Sequence, residues 1–411
     1  MKILFVTGRY AYGDPVRGEG YEHSNMLPAL ATLGHDVVLF ESFDRSAYSD
    51  FGALNAAFIE TLHRENPDVV LLVLQAYELW SETLDLARAT HRAALVNWGT
   101  DDSWKYSQFA RPLAPHLDCW ATTSSAAFDA AVGDGLTNFV LTQWAATDTF
   151  LATPRPAAEC RYPVSFVGAA YGNRRRWIEG LAARGIAVVC FGAGWANGPI
   201  AASEVTRVFR DSAVSLNFAD SGLHLRGLMP YRDRQLKARV FEVPGAGGLL
   251  LTQVAPGLDR YYRAGEEVLS FDSLDDAARQ IKRVLDDPAE RDRIAQAGHR
   301  RTRAEHTSGR RLEALLEAAI ALRERGRGGV VNSGTDTPAN ARLAALRAAH
   351  LPGVGLKVLR AVLSAPFGLA WGKRRGARAA RRVLYELSWR IAPRHTYSAN
   401  GWPGRLFYRQ S

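Results

Sequence analysis

Short apolar segments alternate with helix-like stretches along the first part of the sequence, and this alternation restricts the fold more than any other feature. Strand-like runs rich in Val, Leu and Ile occur at residues 2–7, 36–40, 68–74, 93–98, 118–122 and 138–141. Helical spacing appears between them at residues 21–33, 51–64 and 80–90. Strands that each lead into a helix are typical of a parallel sheet buried on both faces. The sequence therefore predicts an α/β fold of the doubly wound, Rossmann-like type.

The alternation stops at residues 152–162, where two prolines interrupt it, and then begins again. A second series of strands is predicted at residues 164–168, 187–191, 213–218, 248–252 and 267–270, with helices between and after them. Doubly wound sheets bind ligands beyond the carboxyl ends of their strands. We therefore predict one domain at residues 1–151, a second at residues 162–325, and a cleft that both domains face.

Positive charge is concentrated in the last part of the sequence. Residues 327–411 carry fifteen Lys/Arg and two acids, whereas the whole chain has a net charge of +9. The pI of about 9.6 therefore describes an appendage rather than the slightly acidic body. A Gly- and Ser-containing linker is predicted first, and bases then interleave with apolar and aromatic residues at helical spacing. Residues 326–411 are thus interpreted as a linker and a basic amphipathic helical tail.

Several classes of protein are disfavoured by what the sequence lacks. The three cysteines, Cys119, Cys160 and Cys190, are too few and too scattered for a disulfide framework or a zinc site, which favours a reducing, cytoplasmic compartment. The apolar run before Thr7 and Gly8 is too short for a signal peptide and is predicted to be a first β-strand. The weakly apolar run at residues 361–372 is shorter than a membrane span and contains Pro366, so a transmembrane protein is not expected.

The familiar phosphate and metal motifs are also missing. The sequence contains no Walker-type phosphate loop, no strict Gly-x-Gly-x-x-Gly after a strand and no Asp-x-Asp. No cysteine or histidine pair has zinc spacing. We therefore predict no metal and no cofactor beyond a substrate.

Two candidate groups in the first domain follow predicted strands. His23 lies where a glycine-containing loop enters a helix, so its imidazole is either a base or an ordinary surface histidine. Asp101 and Asp102 directly follow the strand at residues 93–98. One of these two carboxylates is expected to face a substrate, and the alternative is that it only caps the next helix.

The second domain opens with a strand, Gly168, Tyr171 and three arginines at a helix start, including Arg174 and Arg175. Cations at a helix N-terminus are unfavourable for the helix dipole, and a bound diphosphate would reverse that penalty. A second cluster, in residues 237–248, combines positive charge, a carboxylate suited to ribose hydroxyls and a glycine turn. Its candidates are Lys237, Arg239, Glu242, Gly247 and Gly248.

Taken in order, these motifs resemble those of one enzyme family. The matching residues are Gly168, Tyr171, Arg174, Arg175, Ser215, Leu216, Asn217, Arg239, Phe241, Glu242, Gly245, Gly247, Gly248, Leu250, Leu251, Thr252, Pro256, Gly257, Leu258, Gly265, Glu267, Val268, Glu305, His306, Thr307 and Arg310. The pattern is similar to that of the CgeB-like (spore maturation protein B type) group-1 glycosyltransferases, and Asp101-Asp102 also matches. The likeness covers roughly residues 1–320 and is strongest from 164 to 310.

This resemblance implies a GT-B fold and metal-independent transfer of a hexose-type sugar from a nucleotide-sugar donor. The second domain would hold the donor, with Asn217 and Gly192 lining the nucleotide pocket, and the first would hold the acceptor. Glu242 matches the second Glu of a Glu-x7-Glu pattern, but the first position is Arg234, so inversion and retention both stay open.

The expected mechanism follows from these roles. Cations chosen from Arg174, Arg175, Lys237 and Arg239 would stabilise the departing diphosphate. Asp102 or His23 would deprotonate the acceptor if the reaction inverts. The loop at residues 219–234, with His224, Arg226 and Arg232, is expected to influence specificity.

Two alternative functions and several partners remain open at this point. A nucleotide-sugar epimerase of the same architecture and a non-catalytic nucleotide-sugar-binding protein are the alternatives. The expected acceptor is a glycan, a lipid-linked molecule, a protein or a small molecule. The basic tail, residues 340–395, favours an anionic membrane surface at the inner face, with nucleic acid an unlikely competitor and no partner the third possibility.

Overall fold

The computed structural model describes residues 1–220, 224–226, 229–327 and 337–410. These residues form two compact units, Met1–Leu141 with Leu315–Ser411, and Thr142–Ala314. The division differs from the predicted one in two ways. The first unit ends ten residues before 151, and the C-terminal part belongs to it. Residues 142–152 join the second unit because Ala146 N–H donates to His306 O at 2.9 Å and Ala152 N–H to Gly245 O at 3.0 Å.

The first unit is built on six parallel strands in the order β2-β1-β3-β4-β5-β6. The strands β1 to β6 are Lys2–Thr7, Asp36–Glu41, Val69–Leu72, Ala94–Gly99, Cys119–Thr122 and Phe139–Leu141. The helices α1 to α6 are Tyr21–Thr32, Phe51–Glu65, Ser81–Thr90, Asp102–Lys105, Arg111–Leu113 and Ser125–Gly133. Strands β3, β4 and β5 are buried along their whole length, as expected for a sheet covered on both faces.

The second unit contains five parallel strands in the order β13-β12-β9-β7-β8, and β10 pairs with β11 in a separate hairpin. The strands β7 to β13 are Tyr162–Val167, Val189–Phe191, Ser212–Asn217, His224–Arg226, Met229–Tyr231, Leu250–Gln253 and Leu269–Phe271. The helices α7 to α11 are Arg174–Ala182, Ala202–Arg210, Arg239–Gly245, Leu274–Asp286 and Pro288–Glu305. Helix α12, Ser308–Arg327, begins in this unit and continues past Ala314 into the residues of the first. The strand order reverses beside β7, so the crevice between the carboxyl ends of β7 and β9 is the expected ligand position in this sheet.

The C-terminal region is helical, as predicted, but it is not an appendage. Its helices α13 to α16 are Thr337–His350, Val354–Ile391, Pro393–Thr396 and Trp402–Phe407. Leu343, Tyr397 and Tyr408 are buried in the same core as Phe51 and Trp80 of the first unit. The Phe51 and Tyr408 rings meet edge to face with centroids 4.8 Å apart. The region therefore completes the hydrophobic core of the N-terminal unit, a role that its basic composition concealed.

Helix α14 is long and apolar enough, by length and composition, to cross a membrane, and it alone qualifies among the described residues. It is nevertheless two helices, because Gly372 has a non-helical conformation at φ 77° and ψ 162°. We call residues 354–371 the first limb and residues 373–391 the second limb.

Candidate functional site

The crevice of the second unit begins at Gly168, directly after β7. Its φ of +153° is one that side chains with a Cβ rarely adopt. A Cβ at this position would lie 3.1 Å from Nη1 of Arg239 and 3.3 Å from Nη1 of Arg174. Glycine therefore lets two guanidinium groups reach the end of the same strand.

Arg174 is the most constrained cation of this crevice. It starts α7 and its side chain is only 3% exposed. The guanidinium donates to Ala169 O and to Tyr171 Oη, both at 2.8 Å, and lies 3.8 Å from the Tyr171 ring centroid. Its Nε, however, has no hydrogen-bond partner in the described part of the chain. Burial, and then the charge of Arg239, lower the pKa of Arg174 to about 10, so an anion here would relieve both penalties.

Two further cations and an amide surround Arg174. Arg239 Nε donates to Asn217 Oδ1 at 3.3 Å, and Asn217 Nδ2 donates to Thr252 Oγ1 at 2.9 Å. Lys237 Nζ donates to Tyr171 Oη at 3.1 Å and to Asp220 O at 2.8 Å. Arg174, Lys237 and Arg239 thus converge around Tyr171 and Gly168, and their role in binding a donor stays a prediction. We call Arg174, Lys237 and Arg239 the cation cluster.

Arg175 and Gly192 take part in the contact between the loop after β7 and the loop after β8. Arg175 is exposed, donates to Gly194 O, and its guanidinium lies 5.1 Å from the centre of a Trp195 ring. Trp195 Nε1 in turn donates to Gly168 O at 2.7 Å. A Cβ on Gly192 would fall 2.5 Å from that same carbonyl oxygen. Gly192 is therefore required for close packing of two backbone segments.

Glu242 lies three residues after Arg239 in α9, which places both on one side of the helix. Its side chain is half-buried. Glu242 therefore shares the side of α9 that carries Arg239.

The prediction that Gly247 and Gly248 bind the donor is corrected by the structure. These two glycines precede β12 and therefore lie at the amino end of the sheet, away from the crevice. A Cβ on Gly247 would fall 2.7 Å from Ala152 O, and one on Gly248 would fall 2.5 Å from Phe209 O. Close backbone packing, rather than a ligand, explains their small size.

In the first unit, Asp102 follows β4 and is buried beneath the end of the sheet, with 2% of its surface exposed. Its Oδ2 accepts a hydrogen bond from Trp120 Nε1 at 2.8 Å. A Cβ on Gly99 would fall 2.1 Å from that oxygen, so only glycine fits before this carboxylate. Burial raises the pKa of Asp102 to about 6, against the lowering effect of hydrogen bonds from Trp120 and Thr122. Asp102 can therefore exchange a proton near neutral pH.

The alternative was that one of these aspartates only caps the next helix, and the structure does not show such a cap. Asp101 occupies the N-cap position of α4 but makes no side-chain cap hydrogen bond. It is half-exposed and pairs with Lys105 Nζ at 3.4 Å. Lys105 also donates to Gln75 O at 3.4 Å, in the loop after β3.

Two residues of this edge were not among the predicted site residues, Lys105 and Glu22. Glu22 lies in the first turn of α1. Burial raises its pKa, and the charge of Asp101 raises the pKa further while that of Lys105 lowers it. The i to i+4 spacing of Asp101 and Lys105 was the available signal. For Glu22 the only signal was its place beside His23. We call Glu22, Asp101, Asp102 and Lys105 the carboxylate cluster.

His23 lies in the same helix α1 with most of its side chain buried. Its Nδ1 is 3.6 Å from Glu19 Oε2 and makes no hydrogen bond within the described residues. The structure thus pairs this candidate base with Glu19.

The predicted specificity loop is described only in part. The side chains of His224 and Arg226 lie outside the described residues, and Arg232 is exposed, 3.4 Å from where a Cβ on Gly172 would stand. Among the described residues, no group of three or more His, Cys, Asp or Glu is placed to hold a metal ion.

Comparison with known proteins gives the fold a context. Residues 174–317, which contain the cation cluster, Asn217 and Glu242, match the family described as Glycosyl transferase-like. No curated protein matches the sequence.

Several solved structures are similar to this chain at low sequence identity. A glycosyltransferase from Rickettsia africae aligns with a TM-score of 0.54 at 11% identity, covering 78% of this chain and 98% of its own. Sucrose-phosphate synthase from Thermosynechococcus elongatus aligns with a TM-score of 0.53 at 14% identity, covering 78% and 99%. Anabaena HepE in complex with UDP and glucose aligns with a TM-score of 0.51 at 13% identity, covering 77% and 100%. The predicted GT-B fold, with two Rossmann-like α/β units, is therefore confirmed.

Proposed function

We propose that this chain is a glycosyltransferase that moves a hexose-type sugar from a nucleotide-sugar donor to an acceptor hydroxyl. One observation carries the proposal. Arg174 is a buried cation with an unpartnered Nε, it is joined by Arg239 and Lys237, and it lies where the strand order of a doubly wound sheet reverses. A diphosphate has the charge and the bidentate geometry that such a group would bind.

The reaction breaks the bond between the sugar's anomeric carbon and the diphosphate oxygen, and forms a bond to the acceptor oxygen. Negative charge grows on the leaving diphosphate, where the cation cluster is already oriented by Tyr171 and Asn217. Groups held in place before the reaction stabilise such charge without reorganising. Glu242 would accept hydrogen bonds from the ribose hydroxyls, and no metal or other cofactor has a part in this scheme.

The acceptor's proton requires a base in an inverting reaction. Asp102 fits that task by its pKa of about 6 and its rigid hydrogen bond from Trp120. In a retaining reaction Asp102 would instead orient the acceptor. The product's configuration at the anomeric carbon, determined by NMR, distinguishes the two courses.

Within the glycosyltransferases we propose the CgeB-like set, on the ordered motifs from Gly168 to Arg310. We propose further that the acceptor is a glycan or a lipid-linked molecule, and that the protein works at the cytoplasmic, inner face of a membrane. Support for a reducing compartment comes from the three cysteines, all unpaired, of which Cys119 and Cys190 are buried.

The experiment is a thermal-shift screen of the full chain against nucleoside diphosphates and nucleotide sugars, followed by nucleoside diphosphate release with and without an oligosaccharide or lipid-linked acceptor. Release that depends on the acceptor is expected. Binding without release would favour the non-catalytic alternative. Conversion of the donor to its epimer without an acceptor would favour an epimerase, a function that the neighbouring structures do not favour.

A further inference from the structure

The two limbs of α14 form a helical hairpin whose tip surrounds Gly372. A Cβ on Gly376, four residues into the second limb, would lie 2.5 Å from the backbone N of Gly368 in the first. Such a distance between residues eight apart requires the chain to reverse. Gly368 and Gly376 let the two limbs approach closely, and residues 369–375 form the tip.

The first limb carries an exposed apolar stripe. Val354, Val358 and Val362 follow at four-residue intervals, and Leu369 continues the same side of the helix. Val354 is 78% and Leu369 is 91% exposed. Ten of the eighteen large apolar side chains that are exposed in the described part of the chain lie between residues 351 and 391.

The opposite side of the first limb is already occupied. Leu356, Leu363 and Phe367 pack against a small core that includes Leu384 and Phe407. The limb therefore has two apolar sides, one turned to the protein and one to the surroundings. A stripe of this length, about 22 Å at 1.5 Å per residue, is larger than scattered surface apolar residues explain.

The tip brings positive charge to the Leu369 end of this stripe. Residues 354–391 contain nine Lys/Arg and one Glu. Lys373, Arg374 and Arg375 are exposed at the tip, next to the exposed Trp371. Apolar side chains next to basic residues and an aromatic ring are suited to a partner that has an apolar interior beneath an anionic surface.

We propose that this hairpin docks on an anionic lipid bilayer, with the apolar stripe and Leu369 in the headgroup–acyl boundary and the tip bases on the lipid phosphates. Nucleic acid would satisfy the bases but leave the apolar stripe in water. A second copy of the hairpin would bring two strongly positive surfaces together. The bilayer alone matches both the stripe and the charge.

The hairpin is fixed to the first unit, so docking would hold that unit at the membrane. Tyr385 of the second limb hydrogen-bonds Tyr397 with 2.7 Å between their hydroxyl oxygens, and its ring lies 6.0 Å from that of Tyr77. If the proposed function holds, a sugar acceptor carried on a lipid would then be supplied at the same surface. The docking itself does not depend on catalysis.

The experiment is co-sedimentation of the full chain with vesicles of phosphatidylcholine alone or mixed with phosphatidylglycerol. The wild type is expected to sediment with the mixed vesicles only, and high salt should weaken the binding. The double variant Arg374→Ser/Arg375→Ser should bind at least about tenfold more weakly, since each base near an anionic surface contributes appreciably. Leu369→Asp should lower binding by a similar factor.

Matched controls replace exposed residues elsewhere. Arg300→Ser/Arg303→Ser removes the same charge from the second unit, and Val132→Asp places an acid on an exposed apolar site of the first, so both should sediment like the wild type. Circular dichroism and melting temperature verify that each variant is folded.

Three outcomes would overturn the proposal. These are equal binding to both kinds of vesicle, equal loss in the control and tip variants, and displacement from vesicles by an oligonucleotide that binds more tightly. Resistance of the bound protein to alkaline carbonate would instead indicate a spanning segment. Nucleotide-sugar binding, measured in the same variants, should be unchanged, so failure of this proposal and of the proposed function are separate results.

Discussion

The cation cluster and the carboxylate cluster both lie at the carboxyl ends of parallel sheets, yet burial shifts the pKa values of their residues in opposite directions. In the second unit it lowers the pKa of Arg174, and in the first it raises the pKa of Asp102. Each change disfavours the charged form. An anionic ligand would stabilise the charged form of Arg174, whereas Asp102 is stabilised when it takes up a proton. The same type of sheet therefore holds a buried positive charge in one unit and a carboxyl group that can exchange a proton in the other.

The largest effect is expected when the buried cation is removed. Arg174→Ala should lower kcat/KM by about 10³, because the leaving diphosphate loses a prearranged donor pair. Arg174→Lys should recover part of the rate, since charge returns without the fork geometry. Steady-state kinetics and nucleoside diphosphate affinity are the measurements.

The neighbouring arginine supplies the control for that prediction. Arg176 is exposed on the same helix, so Arg176→Ala should retain wild-type kinetics. Equal kinetics for the Arg174→Ala and Arg176→Ala enzymes would remove Arg174 from the site.

A smaller effect is expected for Asp102→Asn, which should lower kcat/KM by a factor of about 10² if Asp102 is the base. In the wild type, kcat/KM should fall below about pH 6 as Asp102 becomes protonated, and this acid limb should vanish in the variant. A pH profile of both enzymes is the measurement. An unchanged acid limb in the variant would assign it to another group.

The same substitution should stabilise the protein at neutral pH. The folded-state pKa of Asp102 lies above its ordinary 3.8, so the folded state binds a proton more readily between pH 4 and 6. The ionised carboxylate is therefore destabilising above pH 6, and Asp102→Asn should raise the free energy of unfolding at pH 7 by roughly 3 kcal/mol. Denaturant titration at pH 5 and pH 7 tests this.

Crowding of the cation cluster should have a more modest result. Gly168→Ala would place a methyl group 3.1 Å from Arg239 and raise the KM for the donor by about tenfold, since the guanidinium must move. Gly185→Ala is the matched control, because Gly185 has a positive φ of 78° but an added Cβ would have no heavy atom of the described residues within 4 Å. An equal increase in KM for the donor in both variants would mean that backbone strain, not crowding, is responsible.

The smallest effect concerns Lys105, whose charge lowers the pKa of Asp102. Lys105→Met should move the acid limb upward by less than about one pH unit, and Lys105→Arg should restore it. The pH dependence of kcat/KM is again the measurement. A downward movement would contradict the assignment of that limb to Asp102.

The sheets were predictable because their strands are continuous apolar runs. The first strand was predicted at residues 2–7 and is found there, and the helix predicted from residue 174 starts at Arg174. Arg174 was predicted from its place after a strand, whereas Lys237 and Arg239 were predicted from their grouping with Glu242 on a helix. Gly247 and Gly248 were misplaced because a glycine pair before a strand looks the same whether it approaches a ligand or another backbone segment.

Other features depended on contacts between residues far apart in sequence. Glu22 and Asp101 are separated by 79 positions, and their interaction arises only from the strand order. Tyr397 and Tyr408 follow a strongly basic segment, and nothing local indicates that they are buried beside Phe51 and Trp80. The composition of a helix does not reveal which residues it packs against, because tertiary contacts override local preferences.

The discontinuous first unit has a consequence for biosynthesis. The second unit is one uninterrupted stretch, Thr142–Ala314, whereas the first needs Tyr408 to cover Phe51. During vectorial synthesis on the ribosome, the later-made unit can fold first while the earlier one waits with an open core. A nascent chain stalled after residue 360, so that the whole second unit has left the ribosome, should therefore resist protease over residues 142–314 and be cut within the first 141.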